Sequence, residues 1–90
     1  MNDRMVKAED VIWRQIGDEI VIIRDNGLST HVLNKTAGHI WEMCDGTCDV
    51  NAITESMCER FDVPASQANT DVIATINQLS EKGLLNPCQV

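Results

Sequence analysis

The chain has 90 residues, 43% of them hydrophobic, and a net charge of −7 from 14 acidic and 7 basic side chains. That length suits one domain with a single small core. The charge works against nucleic acid, whose phosphates reward clustered Lys and Arg, and Trp13, Trp41 and Phe61, the only aromatics apart from the two histidines, make a poor base-stacking platform.

No run of 18 apolar residues is present, so no membrane-spanning helix is expected. The opening MNDRMVKAED lacks the basic end and apolar stretch of a secretory signal, and a cytoplasmic protein is expected. Residues 1–10 are polar and read as a frayed segment, 11–85 as the folded domain, and 86–90 as a tail.

Three strands follow. Val11–Ile16 places Ile12 and Ile16 on one face and Val11 and Trp13 on the other. Gly17-Asp18 suits a two-residue turn, because Gly tolerates positive φ. Ile20–Ile23 is β-branched throughout, which predicts a strand covered in part on both faces. Asp25-Asn26-Gly27 is a second hairpin signal. In the third strand Leu28, Thr30 and Val32 share one face, and Ser29, His31 and Leu33 the other. Short turns between successive strands make an antiparallel meander.

The apolar period then changes from 2 to 3.6. Asn34 is a good N-cap, and Ala37, Ile40, Trp41 and Cys44 recur at helical spacing before Gly46. A second helix opens at Thr47 or Asp49, with Val50, Ile53, Met57, Cys58 and Phe61 as its stripe; Pro64 disfavours helical geometry at Val63. A third runs from about Ala65 to Lys82 with Ala68, Val72, Ile76 and Leu79 on one stripe and Ile73 beside it, and Gly83 ends it. The fold class expected is α+β and winged-helix-like: a three-stranded antiparallel meander followed by a three-helix bundle.

The stretch THVLNKTAGHIWEMCDG holds both histidines, Trp41 and Cys44, and invites a metal or catalytic reading. His31 falls in a strand and His39 in a helix, eight residues apart, without the spacing of a convergent ligand set. The cysteines, Cys44, Cys48, Cys58 and Cys88, form no C-x2-C pair. Cys44 and Cys58 fall on apolar helical positions, where a thiol behaves as a small hydrophobe. No Gly-rich phosphate loop, Ser-His-Asp order or paired-carboxylate motif is present. The reading is of a protein that is not an enzyme and holds neither metal nor cofactor.

Several pieces together resemble the PqqD family of RiPP recognition elements: WR at Trp13-Arg14, VLNKTAGHIWEMCDG at Val32–Gly46, VNAI at Val50–Ile53, DVIATINQL at Asp71–Leu79 and KGLL at Lys82–Leu85. The resemblance implies a non-catalytic adaptor that binds the leader segment of a ribosomally made precursor peptide and presents it to a modifying enzyme, often a radical-SAM protein. It further implies that the leader adds a strand between the third strand and the third helix. By resemblance the peptide site maps onto Leu28, Ser29, Thr30, His31, Val32 and Leu33, and onto Val72, Ile73, Ile76 and Leu79. It leaves open whether the product is pyrroloquinoline quinone or another modified peptide.

The residues point to the same edge on their own. In a 1-2-3 meander the third strand has one unpaired side, and LSTHVL carries neither the Lys nor the Pro that usually protects such an edge. An undefended edge beside an apolar helix suits β-augmentation. The alternatives are winged-helix DNA binding and a general protein-interaction module. Against the first, the third helix carries Asp71 and Glu81 ahead of Lys82, a balance that repels phosphates.

Overall fold

The computed structural model describes residues 4–24 and 29–88. Strands β1 (Met5–Lys7), β2 (Val11–Ile16), β3 (Glu19–Arg24) and β4 (Thr30–Leu33) precede helices α1 (Lys35–Met43), α2 (Val50–Phe61) and α3 (Ala65–Glu81), and β5 (Leu85–Pro87) closes the order. β2, β3 and β4 form an antiparallel sheet in that order, the expected meander. The β2–β3 hairpin turns at Gly17, whose φ of +61° costs a residue without Cβ little. The Asp25–Gly27 turn and Leu28 lie outside the described residues.

The helix caps follow the side-chain chemistry. Asn34 accepts from Ala37 N–H at 2.9 Å and Asp49 from Ala52 N–H at 2.8 Å, each satisfying an orphan donor of the first turn. α1 ends at Met43, short of Gly46. α2 ends at a left-handed Asp62, and Pro64 becomes the N-cap of α3. Gly38 allows α1 to lie close on the sheet, since a Cβ there would meet Ile20 Cδ1 at 3.2 Å.

Ile20, Ile22 and Leu33 from one sheet face join Ile40, Trp41 and Cys44 of the α1 segment, Ile53 and Met57 of α2, and Ala68, Val72, Ile76 and Leu79 of α3 in one core. The inner face of β2 is the one that carries half-buried Val11 and Trp13, itself 36% exposed, because those residues pair with Arg24 and Ile22 across the hairpin. Trp41 is fully buried, and Trp13 meets it edge-on with ring centroids 6.1 Å apart.

The expectation of a frayed segment at 1–10 and a tail at 86–90 is corrected for the residues described there, Met5–Lys7 and Asn86–Pro87. β1 pairs antiparallel with β5, Met5 opposite Pro87 and Lys7 opposite Leu85. Met5, Ala8, Leu84 and Leu85 are buried, so the ribbon covers one end of the helical core. Lys7 fastens it. Its ammonium lies 5.3 Å from the centroids of both Trp13 and Trp41 and donates to the carbonyls of Glu42 and Cys44 at the end of α1. Burial holds the Lys7 pKa below its ordinary value.

Candidate functional site: an open sheet edge beside a groove

Among the described residues β4 has one neighbouring strand, β3, and its other side is open. Backbone polarity along β4 follows from a single bond. Arg24 N–H donates to Ser29 O, which makes Arg24 and Ser29 a hydrogen-bonded pair. In an antiparallel ladder bonded and non-bonded pairs alternate. The register then makes Ile22–His31 and Ile20–Leu33 bonded pairs, and Ile23–Thr30 and Val21–Val32 non-bonded ones. The N–H and C=O groups of Thr30 and Val32 therefore point outward, away from β3, as a template for another strand. Those of His31 are consumed within the sheet.

Side chains alternate across the same strand. Leu33 is buried and His31 half-buried on the core face; Thr30 and Val32 are exposed on the other. Ser29, just before the strand, is half-buried. Of the β4 residues expected to meet a peptide, Thr30, His31 and Val32 are accessible and Leu33 is a core residue.

Where β4 passes into α1, a groove of about 300 Å³ opens between α1 and α3, lined by Asn34, Thr36, Ala37, Ile40, Asp71, Ala74, Thr75 and Gln78. α3 runs past the groove against the direction of β4. Arg24, which bonds Ser29 at the start of β4, also donates to Lys82 O at the end of α3. Asp71 and Ala74, about two turns into α3 and well before its end, accordingly lie toward Asn34 at the opposite end of β4.

Val72, Ile73, Ile76 and Leu79, the α3 residues expected to meet a peptide, do not line this groove. Val72, Ile76 and Leu79 are 0, 8 and 2% exposed and pack inward with Ala68. Ile73 is 44% exposed, but at about 100° per residue it stands on the far side of α3 from Asp71 and Gln78. The groove wall is the adjoining stripe Asp71, Ala74, Thr75, Gln78, at i, i+3, i+4, i+7. A signal for it existed: small and polar residues flank the core stripe on that side, and Ala37 with Ala74 leaves room between the helices.

Away from the groove, His39 Nε2 is 2.8 Å from Ser56 Oγ, and its ring packs edge-on against Phe61. Burial, with the Arg60 charge second, holds the His39 imidazole below its ordinary pKa. Burial pushes the Cys44 thiol up to about 11. Among the described residues no group of three or more His, Cys, Asp or Glu is placed to hold a metal ion, and no helix is long and apolar enough to cross a membrane.

Comparison with known proteins gives a consistent result. The family described as Coenzyme PQQ synthesis protein D (PqqD) matches residues 19–85. A PqqA binding protein of Rhodopseudomonas palustris is 33% identical over 52 residues, which are 58% of this chain and 51% of that protein. The chain thus spans about half the length of the curated relatives it matches. The lasso peptide synthetase B1 complexed with a leader peptide superposes with a TM-score of 0.83 at 18% identity, covering 93% of this chain and 99% of that one. TbiB1 in complex with the TbiA(beta) leader peptide gives 0.80 at 21% identity, with 90% and 94% covered. The heterocyclase TruD gives 0.66 at 16% identity; there 92% of this chain matches only 11% of the longer one.

Proposed function

The chain belongs to the PqqD family, and on that footing we propose that it is a non-catalytic, cytoplasmic adaptor for a ribosomally made precursor peptide. The leader segment adds to β4 as a fourth strand, antiparallel or parallel. Its backbone bonds the outward groups of Thr30 and Val32, and its inward side chains reach the groove between α1 and α3. The adaptor then presents the precursor to a modifying enzyme of the radical-SAM class. Relatives named for PqqA binding and the leader complexes of two fold neighbours support the reading. The observation that carries it is the open β4 edge: outward backbone groups, no Lys or Pro within Thr30–Leu33, and a groove at its end.

Proline substitution tests it. Proline is tolerated in edge strands where the N–H faces solvent. Val32→Pro and Thr30→Pro should therefore leave a folded protein and delete one outward donor each. With tagged wild type and Val32→Pro as baits in source-cell lysate, mass spectrometry should find a short peptide on the wild type. The variant should retain it at least tenfold less, since the lost bond and the altered strand path act together. Equal recovery on the two baits, with native circular dichroism, rules out strand addition at this edge. His31→Pro is the contrasting control, because its N–H serves the β3–β4 ladder and its loss should lower stability itself.

A further inference from the structure

Resting on the strand-addition reading, we propose that the bound segment carries a basic side chain, lysine or arginine, that pairs with Asp71 at the α1 end of the groove. Among the described residues Asp71 is the only charged one in the groove lining, and it is exposed. It makes no hydrogen bond or ion pair among the described residues; the ion pair seen there joins Arg24 to Asp10. Among the described residues no Lys or Arg lines the groove. On the facing wall the Asn34 side-chain oxygen is engaged, accepting from Ala37 N–H and from Thr36 Oγ1.

A segment laid over this groove takes water from the Asp71 carboxylate. A neutral side chain there leaves that cost uncompensated, and an acidic one adds repulsion to a chain already at −7. A cation compensates it. The floor favours a long basic residue over a free ion. Ala37, Ile40 and Ala74 offer an apolar bed for a methylene stem whose charged head reaches Asp71. Arg adds a bidentate fork to the carboxylate.

The experiment uses a displayed library of random 15-residue peptides selected on the full chain, counter-selected on Val32→Pro, and repeated on Asp71→Lys. Edge-dependent binders to the wild type should be enriched in Lys or Arg at one position. On Asp71→Lys that position should turn to Asp or Glu. A synthetic winning peptide should bind Asp71→Asn about three- to fivefold more weakly at low salt, with the gap narrowing as salt rises. Edge-dependent peptides without a basic position, or with equal affinity for Asp71→Asn, overturn the inference and leave the adaptor reading standing. A selection that yields no edge-dependent peptide overturns both.

Discussion

The two faces of the β2–β3–β4 sheet are made of the same kinds of residue and meet different surroundings. On the inner face Ile20 and Ile22 are 2 and 0% exposed; on the outer face Ile12, Ile16, Ile23 and Val32 are 56, 63, 40 and 57% exposed. β-Branched side chains stabilise either face of a pleated strand locally, so residue type does not choose the buried one. Register chooses it, together with the side on which the helices pack. α1, backed by α2 and α3, covers one face, and the expectation that Ile20–Ile23 is covered in part on both is met on the other only at half-buried Val21. The outer residues therefore add little to folding through burial, and the sheet's stability rests on its inner side.

That contrast can be broken by substitution. Ile22→Ala should remove about 2–5 kcal/mol of stability, through lost transfer energy and a residual cavity, and should lower the melting temperature by more than about 10 °C in a domain this small. Ile16→Ala should stay within about 0.5 kcal/mol in the same urea titration. Comparable losses at the two sites mean that the outer face is covered in solution. Next in size is Lys7→Ala, at about 1–2 kcal/mol, because it removes two cation–π contacts and two carbonyl contacts that join the ribbon to the inner Trp pair. A drop below about 0.3 kcal/mol would show that β1 is held by its pairing with β5 alone.

A smaller effect separates inside from outside by reactivity. The thiolate is the reactive form, and Cys44 is fully buried with its thiol held up to about 11. Iodoacetamide on the native protein at about pH 8 should label half-buried Cys58 well before Cys44. The reverse order, read by peptide mass spectrometry, would place Cys44 nearer solvent than described. Smallest is the pH term of His39. Its folded pKa lies below the 6.5 of the unfolded chain, so the unfolded state binds the proton more readily. The penalty is absent above that value and accumulates as pH falls toward the folded pKa. His39→Gln should flatten the fall in melting temperature between about pH 7.5 and about pH 5.5; an unchanged slope assigns the fall to other groups.

Local chemistry makes much of the fold legible in the sequence. Val11–Ile16, the turn at Gly17 and the Asn34 cap each depend on neighbours within a few residues. The β1–β5 ribbon was not legible, because it is three residues deep on each side and Met5 meets a partner as distant as Pro87. Its residues read as polar fray and tail when taken alone. In the candidate site the Thr30–Leu33 edge was legible from the order of strands and the missing Lys and Pro. The helix lining of this groove was not legible, for a definite reason. Periodicity shows that Val72, Ile76 and Leu79 share a face but not what that face meets, and here it meets the core. The groove belongs to the next stripe round, where Asp71 and Ala74 carry too little hydrophobicity to announce themselves.

The ribbon that pairs Met5 with Pro87 also brings the two ends of the described chain side by side. A short linker could join them without disturbing a strand, and new ends could be opened in the β2–β3 turn at Gly17. A circularised form keeps β4 and its groove intact while shrinking the unfolded ensemble, so it should resist heat better than the linear chain; a permuted form, open again at Gly17, gains no such constraint. The same closeness makes the module a cassette: spliced into a surface loop of another protein, it would enter and leave at one point.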